Sequence, residues 1–140
     1  MARLSKKKIK QETLKQVYSQ LIKSIALVKK KKEAELFLDE LLGEEEQLML
    51  AKRIAVIYFL TEGLTPYRIS KTLGMSHATI DKMKHNFELG KFDHIASQYK
   101  NKKNRQEIWN DLEVLLRLGM PPMGKGRWGW YHDLQSKHKH

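Results

Sequence analysis

At 140 residues and 16.5 kDa the chain has room for one domain of ordinary size with tails, which excludes a large multidomain enzyme. Its 27 lysines and arginines against 16 acidic residues give a formal charge of +11 and an isoelectric point near 9.8, pointing to a polyanionic partner, nucleic acid first. With 41% hydrophobic residues the chain can bury a core; with no cysteine it has no disulfide, thiol nucleophile or thiolate metal site.

In chain order, residues 1–10 form a basic arm that includes Lys6-Lys7-Lys8. No apolar stretch of signal-peptide type follows it, so secretion is not expected. Leu14, Val17, Leu21, Ile25 and Val28 recur at helical spacing, widened by Tyr18 and Ile22, and predict an amphipathic helix over roughly 11–28. Leu36, Phe37, Leu38, Leu41 and Leu42 predict a short helix closed near Gly43, a residue that accepts the positive φ of a helix end. Glu44, Glu45 and Glu46 suit the start of a third helix, which carries Leu48, Ala51, Ile54, Ala55, Ile57, Tyr58 and Leu60 up to Gly63. That apolar stretch is far short of the about 20 residues a membrane span requires. Ile108, Trp109, Leu112, Leu115, Leu116 and Leu118 predict a last helix before Gly119 and Pro121-Pro122. The tail 120–140 mixes glycine with Lys125, Arg127, Trp128, Trp130 and Tyr131; it reads as disordered or packing sequence, with stacking on bases as the alternative. No strand is expected, and the fold class is all-α.

The charge is segregated along the chain. Residues 1–33 carry 11 basic and 2 acidic side chains, 34–64 carry 2 and 7, 65–104 carry 8 and 3, and 105–140 carry 6 and 4. An acidic block thus divides two basic ones, as a scaffold would divide segments that touch phosphate. The runs Lys6-Lys7-Lys8 and Lys29-Lys30-Lys31-Lys32 suit phosphate neutralisation, and equally suit a solvated face or an anionic membrane surface.

The stretch from Thr65 to Lys84 holds the most specific pattern, a helix-turn-helix over 65–89. Thr65 caps a helix that begins at Pro66, where a missing amide hydrogen is harmless. Ile69 and Leu73 face inward, small Ser70 permits close approach, and Gly74 makes the turn. Ser76 caps a second helix whose Ile80 and Met83 form the inward edge. The first turns of that helix present Ser76, His77, Ala78, Thr79, Asp81 and Lys82 as candidates for base edges in the major groove. Thr65, Tyr67, Arg68, Lys71 and Lys84 are candidates for phosphate contact. A bare helix pair packed in a bundle would not need two caps, a glycine turn and a basic surface together.

The stretch Glu35-Leu-Phe-Leu-Asp-Glu-Leu-Leu-Gly-Glu-Glu-Glu-Gln-Leu-Met-Leu-Ala-Lys-Arg-Ile54, with Tyr67-Arg68-Ile69, Leu73-Gly74-Met75-Ser76 and Ala78-Thr79-Ile80, resembles the Trp repressor superfamily of small bacterial regulators over about residues 33–92. The resemblance implies a helical bundle forming an intertwined homodimer, each subunit offering one helix-turn-helix to half-sites roughly 34–36 Å apart. It also implies a corepressor pocket between the central and recognition helices, whose positions here are Arg53, Lys82, Met83 and Asn86. Arg53 matches the family's first arginine, but Lys82 stands for the second, Gly43 for a threonine, Asn86 for a serine and Met83 for a glycine. Met83 would fill the indole space, so tryptophan is not expected to bind; the sequence leaves open whether another small molecule does. Arg53 can equally serve as a partner for acidic residues such as Glu44 to Glu46.

The resulting domain reading is a basic arm over 1–10, a helical DNA-binding and dimerisation domain over 11–119, and a tail over 120–140. The expected function is a sequence-specific regulator of double-stranded DNA, a repressor, in the cytoplasm on nucleoid DNA, with no cofactor, metal or membrane partner. An enzyme is not expected, since His77, His85, His94, His132, His138 and His140 show no ligand spacing or nucleophile motif. The alternative is an RNA- or single-strand-binding protein using the lysine arms and aromatic tail. It accounts poorly for a helix-turn-helix, because the A-form major groove admits no recognition helix.

Overall fold

A computed structural model describes residues 10–101 and 105–118, all of its regular structure helical. The arm before Lys10, the tail 120–140 and its aromatic cluster lie outside the described residues. The chain divides into two compact units, Met1–Ala51 and Lys52–His140.

The first unit contains α1 (Gln11–Ala26), α2 (Lys31–Leu41) and the opening turns of α3 (Glu44–Thr61). The α1 stripe forms at the expected spacing, but α1 and α2 bury no residue: Val17 is 60% and Tyr18 62% exposed, and Leu14, Ile22, Ile25, Leu36 and Leu41 are exposed as well. The second helix starts five residues earlier than its apolar residues predict. Lysine, glutamate and alanine are good helix formers, and the Lys29 amide is accepted by Glu33 Oε2 at 3.3 Å, so polar residues build its first turn. Two members of the lysine run 29–32 therefore lie inside a helix and two before it.

Gly43 corrects one expectation. It does not take a positive φ; it stands before α3, its carbonyl accepting from the Gln47 amide at 2.9 Å and its amide donating to Glu46 Oε1 at 3.1 Å. The second helix does end beside Gly43, at Leu41 with Leu42 as its cap, but the reach of a glutamate back to the Gly43 amide is half of a capping box, so the glycine itself serves the start of the third helix.

The second unit carries the core. Beyond Ala51, α3 buries Ala55, Val56, Ile57, Phe59 and Leu60, then stops at Gly63, whose φ of +86° a side chain rarely adopts. α4 (Pro66–Leu73) adds Ile69 and Leu73, and α5 (His77–Glu88) adds Ile80 and Met83 to the same cluster. At about 25 cal/mol per Å² of apolar area removed from water, each such side chain stabilises by about 1.5–3 kcal/mol before entropy is counted. α7 (Arg105–Leu118) lays Trp109, Leu112 and Leu116 on this core, with Trp109 edge-on to Phe59 at 6.2 Å.

The sequence pattern did not reveal α6 (Asp93–Asn101), which buries only Ala96 and Tyr99. Its hold comes from distant partners. Tyr99 is fully buried, stacked on Tyr58 at 4.4 Å, and its hydroxyl donates to Glu62 Oε1 at 2.8 Å. The same oxygen accepts from Arg105 Nη2 at 2.7 Å and Nε at 3.1 Å, so the end of α3, α6 and the start of α7 meet at one carboxylate. Burial pushes the Glu62 carboxyl up, but hydrogen bonds from Arg105 and Tyr99 and the charges of Arg105 and Lys100 outweigh it and hold the group below its usual range.

Burial and the adjoining Glu62 carboxylate push the Tyr99 hydroxyl from an ordinary value near 10 up to about 12, against the opposing Arg105. The folded state keeps this proton longer than the unfolded chain, so the associated stability is complete below about pH 10 and is lost as pH rises toward 12. Tyr99→Phe keeps the stack and removes the hydroxyl. It is expected to cost about 1–2 kcal/mol in urea unfolding at neutral pH and to flatten the decline above pH 10, both measurable by circular dichroism.

Candidate nucleic-acid interface

The interface is built on α4, its turn and α5. Thr65 is extended and its hydroxyl accepts the Arg68 amide at 3.3 Å, satisfying one of the free donors at the start of α4. Gly74 closes the helix at φ +63° in open space, and its amide returns to the Ser70 carbonyl. Ser76 then caps α5, accepting the Thr79 amide at 3.2 Å.

Ser70 does more than allow the two helices to approach. It is 8% exposed and its hydroxyl donates to the Met75 carbonyl at 2.5 Å, tying α4 to the residue just before the second cap. Buried Thr72 bonds back to the Arg68 carbonyl at 2.8 Å. These bonds leave the turn with little freedom, so the first turn of α5 is directed by α4 and not by solvent.

On α5 only one edge is inside: Ile80 and Met83 are buried and Phe87 is half-buried. Ser76, His77, Ala78, Thr79, Asp81 and Lys82 are all exposed at its start, as are Thr65, Tyr67, Arg68, Lys71 and Lys84 around it. The Ser76 hydroxyl is already engaged, capping the Thr79 amide and sharing a 2.8 Å hydrogen bond with Thr79 Oγ1. Thr79 thus presents to solvent its methyl group and the remaining hydrogen-bonding capacity of its hydroxyl. Lys84 lies 3.9 Å from Glu88 with both side chains largely in water, a restraint too weak to hold it from a phosphate.

One arrangement was not visible in the sequence. The Tyr67 ring stacks with the His77 imidazole at 5.8 Å and 22° between planes, while Lys71 Nζ lies 4.8 Å from the same ring centroid. The spacing of Tyr67 and Lys71, one helical turn, was a signal for the second contact; the first crosses the turn and had none.

The expected corepressor positions do not share one environment. Met83 is in the core at 7% exposure, Asn86 is half-buried, and Arg53 and Lys82 are in solvent. Among the described residues no group of three or more histidine or acidic side chains is placed to hold a metal ion, and no described helix is long and apolar enough to cross a membrane.

A short capped helix, a pinned glycine turn and a second capped helix with an exposed polar face match a helix-turn-helix. The family model described as Trp repressor protein matches residues 16–112. The chain belongs to the Trp repressor family. It is thus a helix-turn-helix DNA-binding regulator with the all-α fold of that family, which is regulatory and not enzymatic. The match reaches beyond the resemblance read over 33–92, taking in most of α1 and the start of α7. Neither the curated proteins nor the solved structures contain a match to this Trp repressor family chain.

In this family member the turn is open to test apart from DNA. Gly74→Ala forces a side chain onto a left-handed backbone with no steric neighbour, and is expected to cost about 1–2 kcal/mol from backbone strain alone. Ser70→Ala leaves the Met75 carbonyl without its partner and is expected to cost about 1–3 kcal/mol. Urea unfolding followed by far-ultraviolet circular dichroism measures both.

Proposed function

We propose that the chain is a homodimeric, sequence-specific repressor of double-stranded DNA that reads the major groove with the start of α5 and does not depend on tryptophan. The observation that carries this reading is the division of α5, with Ile80 and Met83 locked in the core while His77, Ala78, Thr79, Asp81 and Lys82 stand in solvent at a capped helix start. Those side chains suit base edges: imidazole and ammonium for guanine O6 and N7, carboxylate for the cytosine amino group, methyls for thymine. Thr65, Tyr67, Arg68, Lys71 and Lys84 surround them with groups for phosphate. The description of the matching family, Trp repressor protein, supports repression as the outcome of binding.

The dimer is supported by the first unit. Among the described residues the apolar stripe of α1 is left exposed, and a second copy of the same stripe is a self-complementary cover for it. Independence from tryptophan is supported by Met83, a long side chain buried where the family resemblance places glycine. A ligand seated there would have to displace core atoms.

Lys71→Ala is expected to weaken every duplex to a similar degree and to reduce the slope of log affinity against log salt by about 0.9. His77→Ala is expected to lose about 1–3 kcal/mol on the preferred duplex alone. Fluorescence anisotropy on a duplex selected from a random pool and on a scrambled control separates the two, and added tryptophan is expected to leave both affinities unchanged. Equal loss on all duplexes for His77→Ala overturns base reading by this residue. Light scattering is expected to give twice the 16.5 kDa chain mass. Leu21→Asp, which places a charge in the α1 stripe, is expected to shift the protein toward the single chain.

A further inference from the structure

We propose that Tyr67 is a positioning residue for sequence reading: its ring seats the His77 imidazole and the Lys71 ammonium before DNA arrives. Tyr67 is 57% exposed and has no place in the core cluster, so packing of the fold does not explain an aromatic residue there. What lies against its ring is one group from the base-reading set, at 5.8 Å, and one from the phosphate-contacting set, at 4.8 Å.

The physical consequence differs for the two neighbours. The His77 backbone is fixed, because it is the first residue of a helix capped by Ser76, and the remaining freedom is rotation of the side chain. An imidazole free to rotate can turn away from an unsuitable base edge at little cost. One resting against a ring gives up that contact to turn away, so wrong base edges meet it with unmatched hydrogen-bonding groups or at the cost of the stack. Lys71 lies one turn from Tyr67 along α4, and a cation resting on the ring has given up part of its rotational freedom before it meets phosphate. In both cases ordering occurs in the free protein and is not charged against binding. The ring and the hydroxyl of Tyr67 thus have separable roles, the ring toward His77 and Lys71, the hydroxyl toward a phosphate.

This inference rests on His77 reading base edges, and the experiment separates failure of one from failure of the other. In the full-length protein without DNA, Tyr67→Leu is expected to move the His77 ring resonances in a proton–carbon correlation spectrum toward those of a freely exposed histidine. Tyr67→Phe is expected to leave them close to their original positions. On the selected and scrambled duplexes, Tyr67→Leu is expected to lower the preference by about three- to tenfold. Tyr67→Phe is expected to retain the preference, and Tyr67→Leu combined with His77→Ala to be no worse in preference than His77→Ala alone. His77 resonances that stay in place in Tyr67→Leu overturn the proposal. A preference lost equally in Tyr67→Phe and Tyr67→Leu also overturns it, assigning the effect to the hydroxyl. Resonances that move while His77→Ala keeps full preference overturn base reading by His77, and the part of Tyr67 in specificity falls with it.

Discussion

The buried edge of α5 is the constraint on which the rest of the interface depends. Ile80 and Met83 enter the same cluster as Ile69 and Leu73 of α4 and Val56, Ile57 and Phe59 of α3. A helix of 12 residues has little stability by itself, so its orientation is that of its anchored edge. Once that edge is inside, the 3.6-residue period decides what faces out, and the residues that remain are polar or small. Rotating the helix to expose other side chains would pull Ile80 from a site where it has no exposure at all.

The turn before α5 converts this packing into direction. The Ser70 bond to the Met75 carbonyl, the left-handed Gly74 and the Ser76 cap fix three successive points of the backbone. At the end of α3 a single carboxylate, Glu62, gathers Tyr99 and Arg105, so α6 and α7 are referred to the end of the helix that supplies most of the core. Both devices use polar groups that are satisfied by one another, which makes their geometry specific where apolar packing alone would tolerate sliding.

Much of this was legible in the residues. The helix-turn-helix was readable because its signals are local: caps three residues from the amides they accept, a glycine at the turn, apolar residues at helical spacing. The family, too, was readable over 33–92, from motifs in those same helices. What escaped depended on distance or on polar composition. Tyr99 and Arg105 lie 37 and 43 residues from Glu62, and no period links them. α6 has too few apolar positions for a stripe, and the first turn of α2 is built from lysine, glutamate and alanine, which helical spacing of apolar residues does not detect. Gly43 marks the break between two helices as expected, but its conformation was not legible, because glycine serves either end of a helix and only the Glu46 contact assigns it to the start of the third. The stacking of Tyr67 on His77 joins two helices across a turn, a relation that exists only in the folded chain.

The exposed stripe of α1 has a consequence for the protein's lifetime. Six or more large apolar side chains in water on a newly made chain form the kind of surface that chaperones and proteases recognise. If a second copy covers that stripe, each chain's survival depends on how soon it meets another, and dilute chains are cleared faster than abundant ones. Abundance would then fall away more steeply than synthesis does at the low end, giving such a regulator a threshold in expression that owes nothing to a ligand.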